Sequence, residues 1–235
     1  MSSPTVDSHP TPSAGQCSRW RALALAAAAG FAIVALFVVL GASRAIDLAL
    51  LEYAGTLRTP GRTDLMIAVS LLGWGNVEIP LALALVGWLW YRRRPACARF
   101  YFGWTLSGWA VYALLKASFQ RPRPSIIARL DGAGWWAFPS GHAMLAPIVF
   151  VLAAILLAEG LACRKRAGLL LGGAWLIACA IGVSRVYLGV HYPTDVIAGL
   201  LAGTAWMAMA LAFRSRNQAM ATTSRSNAAS ASRLA

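Results

Sequence analysis

Six apolar runs, each close to the length of a membrane-crossing helix, constrain this chain more than any other feature. The first run is uninterrupted from residue 22 to residue 42, and the others cover residues 71–91, 100–119, 142–162, 167–184 and 195–213. A helix needs about 20 apolar residues to cross the hydrocarbon core of a bilayer. The runs therefore predict an all-α, polytopic membrane protein with six transmembrane helices in a bundle.

The first two runs need a closer interpretation. Residues 22–42 are too long for the apolar region of a signal peptide, which has about 7 to 15 residues, so we expect a span and no cleavage. The stretch from Asp64 to Tyr91 is too long for one straight crossing and is interrupted near Gly73 and at Pro80. It predicts an interfacial helix followed by the second span.

The sequence predicts one membrane domain between two tails. Residues 1–18 and 214–235 are rich in small and polar residues and are expected to be disordered, which leaves residues 19–213 as the domain. Across the chain 59% of residues are hydrophobic and 12% are charged, against about a quarter charged in soluble domains. This composition excludes a soluble globular protein, a coiled coil and a disordered chain.

The distribution of charge predicts the orientation. The net charge of +13 would suggest a nucleic-acid partner in a soluble protein, but here the basic residues form clusters between apolar runs, so no nucleic-acid partner is expected. Basic residues are enriched on cytoplasmic loops of membrane proteins. We therefore expect a cytoplasmic (inner) membrane protein with both termini inside; the inside residues are Arg19, Arg21, Arg92, Arg93, Arg94, Arg99, Arg164, Lys165, Arg166, Arg214, Arg216, Arg225 and Arg233.

The segment between the third and fourth spans carries two cations and a helix start. Lys116 ends the third span, and two prolines hold Arg123 in an extended segment that can turn back toward it. An arginine fork and a lysine suit a phosphate, although both could simply meet lipid head groups. The fourth span then begins with Ser140, Gly141 and His142. The Ser140 side chain is expected to cap this helix start, where free backbone amides form an anion site.

The segment between the fifth and sixth spans adds Arg185, His191 and Asp195. His191 and Asp195 are four residues apart, so at a helix start they would share a face, and the carboxylate could accept one imidazole N–H. The pair could equally be structural. Both segments are expected on the outward face, toward the periplasm or the cell exterior. Together they match phosphoryl transfer through a histidine nucleophile, and the ligands are too few for a dinuclear metal site.

These segments resemble the signature of the type 2 phosphatidic acid phosphatase superfamily, which includes lipid phosphate phosphatases, undecaprenyl-diphosphate phosphatases and soluble vanadium haloperoxidases. The signature stands here as K-x6-R-P from Lys116, P-S-G-H from Pro139, and S-R-x5-H-x3-D from Ser184. Order, spacing and common membrane side all agree. The resemblance covers residues 22–213 and includes the six-span layout, which disfavours the soluble haloperoxidase branch.

The resemblance implies a role for each site residue. His191 would attack phosphorus, Asp195 would orient it, and His142 would protonate the leaving oxygen. The phosphoryl oxygens would be held by Lys116, Arg123, Arg185, Ser140 and Gly141. The family needs no metal or other cofactor, and its members act on lipid phosphates.

Several polar residues outside the signature receive weaker interpretations. Arg121 and Arg129 are expected to be auxiliary contacts or, more simply, surface charge. Trp135 and Trp136 could form a lid but fit a membrane interface better. Glu78, near the outer end of the second span, is expected to reach water. The four cysteines show no CxxC pairing and are expected to be free thiols.

The leading hypothesis is a metal-independent membrane phosphatase that hydrolyses a lipid phosphate or diphosphate from the outer leaflet. Phosphatidic acid, phosphatidylglycerol phosphate and undecaprenyl diphosphate remain equal candidates. The same residues could instead transfer a phosphoryl or head group to another hydroxyl. A non-catalytic lipid-phosphate binder or transporter is the third alternative. Nothing in the sequence predicts an oligomeric state.

Overall fold

A computed structural model describes residues 14–234, and the regular elements in that range are all helices. The predicted all-α architecture is therefore confirmed. The helices, in chain order, are α1 (Ala14–Val39), α2 (Arg44–Thr56), α3 (Pro60–Leu71), α4 (Gly75–Tyr91), α5 (Pro95–Phe119), α6 (Gly141–Ala146), α7 (Leu152–Ala158), α8 (Arg164–Tyr187) and α9 (Pro193–Leu234).

Four helical segments are long and apolar enough to cross a membrane. They are Gly15–Val39, Gly141–Ala158, Arg164–Tyr187 and Pro193–Ser224, and α3 with α4 makes a fifth if that bent pair counts as one span. Helix α5 has the length, with 25 residues, but its aromatic and polar residues lower its mean hydropathy. The chain is thus a multi-pass helical protein, and the count of six spans stays a prediction.

The expected interruption of the second apolar run is present. Helix α3 ends at Leu71, α4 begins at Gly75, and the two axes differ by 46°. Pro80 lies inside α4 within its first two turns, where its missing N–H interrupts few hydrogen bonds of the helix. The break places Gly73 and Trp74 at one end of the bundle.

Proline also shapes the fourth span. Between α6 and α7 the residues Pro147–Val151 form a π-helical turn. Proline inside a helix lacks the N–H for the usual bond and clashes with the carbonyl four residues earlier, and a wider turn relieves both problems. The span from Gly141 to Ala158 therefore stays continuous despite its internal proline.

The core forms where the fourth span packs against α9. A Cβ at Gly203 of α9 would overlap the carbonyl oxygen of Met144, so only glycine permits this approach. Gly199, one turn earlier, meets the Ser140 carbonyl in the same way. These contacts fix the start of α6 against the start of α9, and both starts carry site residues.

The tails differ from the expectation where the structure describes them. Helix α9 continues to Leu234, whereas the sequence predicts disorder from residue 214. Alanine, glutamine, methionine and arginine in this stretch favour helix, so α9, once formed in the bundle, extends through it. Helix α1 likewise includes residues 14–18 of the expected N-terminal tail, and residues 1–13 lie outside the described residues.

Two of the predicted basic clusters meet at one end of the bundle. Arg94 and Arg214 both pair with the carboxylate of Glu159. These ion pairs connect the start of α5, the end of α7 and helix α9. Helix α5 then runs about 37 Å, at 1.5 Å per residue over 25 residues, to the opposite end, where Lys116 lies. The basic clusters and the signature residues therefore occupy opposite ends of the molecule.

Candidate active site

One cavity collects most of the signature residues. It has a volume of about 270 Å³, and Lys116, Arg123, Gly141, His142, Arg185 and His191 all line it. Among the described residues it has three cationic side chains in its lining and no carboxylate. Such a cavity favours a small, multiply charged anion.

Each signature residue is delivered by an element that ends or begins at the cavity. Lys116 lies in the last turn of α5, which stops at Gln120 with a left-handed φ of 46°. His142 is in the first turn of α6, and Arg185 is in the last turn of α8. His191 lies in the turn just before α9. Helix termini from four segments thus converge, although the residues are up to 75 positions apart.

His191 and Asp195 form the expected pair, although the geometry differs from the expectation. The imidazole Nδ1 lies 3.4 Å from a carboxylate oxygen of Asp195, but His191 precedes α9 and does not share a helix face with Asp195. The same carboxylate oxygen accepts the backbone N–H of Tyr192 at 2.8 Å. Asp195 therefore caps its own helix while it faces the histidine.

The other ring nitrogen of His191 faces the cavity. Its Nε2 lies 3.2 Å from a guanidinium nitrogen of Arg123, which can only donate, so Nε2 presents its lone pair. Burial lowers the pKa of His191 well below its usual 6.5, and the positive charges of Arg123, Lys116 and Arg185 lower it further. The histidine is therefore neutral at physiological pH.

The Arg123 side chain is held in place by backbone carbonyls of the surrounding loops. Its guanidinium donates to the backbone carbonyls of Val190, Gly134 and Trp135, at 2.7, 2.7 and 2.9 Å. These bonds tie the segment after α5 to the turn that carries His191. The fork is thus fixed before any ligand binds, which lowers the entropic cost of binding.

Arg185 and Lys116 reach the cavity by different means. The guanidinium of Arg185 pairs with Asp131 and also donates to the Ser70 hydroxyl, while its Nε is buried without a partner. The ammonium of Lys116 is 5.0 Å from the ring centre of Tyr112, one turn earlier on α5, and makes no ion pair with the described residues. Two buried donor groups, on Arg185 and Lys116, thus remain available for a ligand.

Ser140 occupies the cap position of α6 without capping it. Its hydroxyl makes no hydrogen bond to the helix and is fully buried without a partner, so the expected side-chain cap is wrong. The backbone explains the difference, because the N–H of Ser140 donates to the Asp195 carbonyl at 2.9 Å and holds the residue against α9. The hydroxyl and the adjacent Gly141 remain free for an anion.

The position of the His142 ring depends on Gly73, a contact that no motif in the sequence predicts. A Cβ at Gly73 would lie 2.8 Å from Cδ2 of the His142 ring and 2.7 Å from Ile181. The neighbouring Trp74 meets the same ring edge to face at 6.5 Å between centroids. The Nε2 of His142 is buried without a partner, so the imidazole has an unused position for a ligand or a proton.

Arg121 is a structural cation, and its interpretation as surface charge is wrong. One guanidinium nitrogen donates to Asp195 at 2.6 Å, and another donates to Asp47 at 2.8 Å. Asp47, in the first turn of α2, is fully buried and also accepts from Thr194 and from Ser43. Arg121 thus shares one positive charge between two buried carboxylates directly behind the His191–Asp195 pair.

The remaining polar residues lie as follows. Glu78 is fully buried between α4 and α5, and neither carboxyl oxygen has a partner among the described residues, so the expectation that it reaches water is wrong. It lies in the first turn of α4 and lines a small cavity together with Tyr101 and Thr105 of α5. Arg129 is exposed. Trp135 is 56% exposed, and its ring contacts the Tyr112 ring edge to face.

No group of three or more His, Cys, Asp or Glu side chains in residues 14–234 is placed to hold a metal ion. The four cysteines are unpaired and lie outside the cavity lining. What the cavity offers is two imidazoles, three cations and backbone donors. This set can bind a phosphate, attack it and transfer protons.

The buried imidazole predicts how stability depends on pH. In the unfolded chain His191 takes up a proton as the pH falls through 6.5, whereas in the folded chain it stays neutral until a much lower pH. The unfolded state thus binds more protons below 6.5, so the free energy of unfolding falls by up to about 1.4 kcal/mol per pH unit. Thermal unfolding at pH 7.5, 6.5 and 5.5 should show stability falling as the pH falls, and His191→Gln should reduce the slope by up to this amount. An unchanged slope in the variant would contradict a buried neutral histidine at position 191.

Sequence comparisons match these features to known proteins. The PAP2 superfamily profile matches residues 96–219. A relative named phosphatidylglycerophosphatase B, from Bacillus subtilis, is 31% identical over 179 residues, which cover 74% of this chain and 85% of that protein. A relative named lipid A 1-phosphatase, from Rhizobium johnstonii, is 36% identical over 107 residues, 41% of this chain and 38% of the relative.

Solved structures agree with the sequence matches. The crystal structure of a transmembrane PAP2-type phosphatidylglycerolphosphate phosphatase from Bacillus subtilis superposes with a TM-score of 0.77 at 28% identity, covering 82% of this chain and 96% of that one. The crystal structure of Aquifex aeolicus LpxE gives a TM-score of 0.55 at 27% identity, covering 70% and 93%. The helical arrangement described above is therefore shared with a solved transmembrane PAP2-type phosphatase.

Proposed function

The chain belongs to the PAP2 superfamily, and we propose that it hydrolyses a lipid phosphate through a phosphohistidine intermediate, without a metal ion, at the cavity lined by His142 and His191. The observation that carries this proposal is the cavity itself. Three cations line about 270 Å³ of space, and Nε2 of His191 faces it beside the Arg123 guanidinium, with Asp195 on the other ring nitrogen. The phosphatase activity of the family gives the reaction class.

The first step forms a bond between His191 and phosphorus. The Nε2 lone pair attacks the phosphorus atom as the bond to the lipid oxygen breaks, and His142 donates a proton to that oxygen. Asp195 stabilises the charge that develops on the His191 ring, since it accepts from Nδ1. Lys116, Arg123 and Arg185 hold the three equatorial oxygens, where positioning and charge do most of the catalytic work.

The second step reverses these roles with water. His142 takes a proton from a water molecule, which attacks phosphorus and breaks its bond to His191. Inorganic phosphate leaves, and both histidines return to their starting states. A phosphate also supplies the negative charge that a protonated His142 needs in a cavity with three cations. The same positive surroundings disfavour a metal cation, which supports a reaction that needs none.

We place the cavity at the outward-facing end of the bundle and the basic clusters at the cytoplasmic end. The positive-inside rule supports this orientation, and Arg94 and Arg214 lie together at the end opposite Lys116. The lipid substrate then comes from the outer leaflet of the cytoplasmic membrane. The 31% identical relative is named phosphatidylglycerophosphatase B, so phosphatidylglycerol phosphate is the first substrate to test.

The test is phosphate release by the purified full-length chain from three lipids. We expect release from at least one of phosphatidylglycerol phosphate, phosphatidic acid and undecaprenyl diphosphate, at the same rate with and without EDTA. Quenching in alkali should trap an alkali-stable, acid-labile phosphoryl group on the protein. Activity that EDTA abolishes, or a trapped phosphate on another residue type, contradicts the mechanism. Transfer of phosphate to an added alcohol in preference to water would instead support a transferase.

A further inference from the structure

A second, larger cavity lies at the basic end of the bundle, far from His191. Its volume is about 1180 Å³, and it opens between the α4–α5 connection, the end of α7 and helix α9. We call it the basic-end cavity and define it by Arg93, Arg99, Gly103, Trp104, Trp206 and Arg214. None of these residues belongs to the signature or to the candidate active site.

The mouth of the basic-end cavity carries uncompensated positive charge. Four arginines line it against one carboxylate among the described residues, and that carboxylate, Glu159, is shared by Arg94 and Arg214. Arg93 and Arg99 are exposed, and their side chains make no ion pair or hydrogen bond with residues that the structure describes. Two guanidinium forks are therefore free to bind the oxygens of an anion.

The inner wall of the same cavity is apolar and aromatic. The ring of Trp104 packs against Trp206 at 5.4 Å and against Phe213 at 6.0 Å between centroids. Beside Trp104, a Cβ built on Gly103 would have no atom within 4 Å, so the wall is open at that point. The cavity thus combines a cationic mouth with an apolar interior, which suits an amphiphile better than a soluble anion.

We propose that the basic-end cavity binds an anionic glycerophospholipid from the leaflet opposite the candidate active site. Its phosphate diester lies between Arg93 and Arg99, and an acyl chain lies along Trp104 and Phe213 past Gly103. Basic pockets between transmembrane helices at the cytoplasmic surface recognise anionic head groups in this way. The lipid would join α5 to α9 at the end of the molecule where the only ion pairs described are those of Glu159.

The experiment compares two lipids with the purified full-length chain in neutral detergent. Dioleoyl phosphatidylserine is the probe, because it is anionic and carries no phosphomonoester for a phosphatase to act on; dioleoyl phosphatidylcholine is the zwitterionic control. We expect phosphatidylserine to raise Tm by about 5 °C at saturating lipid, since a ligand of the folded state raises Tm by mass action. Phosphatidylcholine should raise it by less than a third of that shift.

Two pairs of variants locate the site. Arg93→Gln with Arg99→Gln should remove the shift, whereas Arg164→Gln with Arg166→Gln removes two exposed arginines from the same end and should keep it. Gly103→Phe should also remove the shift, because the ring fills the open wall while all four arginines remain. Gly87→Phe is its control, since Gly87 is exposed on α4 with no atom within 4 Å of a Cβ.

Each outcome decides the proposal. Loss of the shift in the Arg93/Arg99 and Gly103 variants, with retention in both controls, supports it, and retention of the shift in either test variant overturns it. An equal shift from phosphatidylcholine also overturns it, in favour of an unselective groove. So does an equal shift from inorganic phosphate that the Arg93/Arg99 variant abolishes, because it indicates a free-anion site in the same cavity. If the Arg93/Arg99 variant fails to fold, comparison of Gly103→Phe with Gly87→Phe still tests the proposal.

Discussion

His191→Ala is expected to lower the rate of phosphate release by about 10⁴-fold or more, to the background of the assay. The reason is that removing the nucleophile of a covalent mechanism removes the reaction path itself and leaves only binding and charge stabilisation. The variant should still bind the lipid, because Lys116, Arg123 and Arg185 remain in the cavity. The measurement is phosphate release over hours with detergent-solubilised enzyme, beside Arg129→Ala as an exposed control.

His142→Ala gives the matching test of the proton donor. General acid catalysis contributes about 10²- to 10⁴-fold, and the contribution shrinks when the leaving group needs no proton. We therefore expect a large loss with a lipid monoester and a much smaller loss with p-nitrophenyl phosphate, whose leaving group is a stable anion. His191→Ala should be inactive on both substrates. Equal losses for His142→Ala on the two substrates would remove His142 from the acid role.

The residues that sequence predicts well are those whose chemistry lies within a short motif. Lys116 and Arg123, or His191 and Asp195, are close in the chain, so their spacing already restricts where they can point. The cavity that gathers them follows from helix ends that meet, and the sequence predicts those ends through prolines, glycines and apolar run lengths. Their catalytic roles stay predictions.

The supporting residues lie beyond what spacing can predict. Asp47 meets Thr194 across 147 positions, and Arg185 meets Ser70 across 115. A lone aspartate at the start of an apolar helix gives no sign of its partner, because the contact depends on how α2 packs on α9. The same holds for Arg121: exposed arginines are common, so the sequence favours a surface position, and only tertiary packing brings two buried carboxylates beside it.

Local propensity failed where tertiary context decides. Ser140 has the right residue type and position for a helix cap, but its backbone is tied to Asp195 and its hydroxyl stays unbonded. Glu78 lies near the outer end of the second span, a position that predicts contact with water, yet it is fully buried beside α5. In both cases the sequence supplies the residue, and the packing of distant helices sets its environment.

Arg121→Gln is expected to damage both stability and catalysis, because it removes the one cation shared by Asp47 and Asp195. Both carboxylates are fully buried, and breaking a buried ion pair by removing one partner costs about 3–5 kcal/mol. For a chain of this size that corresponds to a fall in Tm of about 10 °C. Arg129→Gln, an exposed arginine in the same segment, should leave Tm unchanged.

The kinetic effect of Arg121→Gln separates positioning from binding. Arg121 does not line the cavity, so KM should change little, whereas kcat should fall about 10- to 100-fold because Asp195 loses the contact that fixes it beside His191. Asp47→Asn with Arg121→Gln should recover part of the lost stability, since the double variant leaves one buried carboxylate fewer unpaired. A rise in KM at constant kcat would show that Arg121 acts on the substrate and not through Asp195. Equal stability of Arg121→Gln and the parent chain would show that its ion pairs do not stabilise the fold.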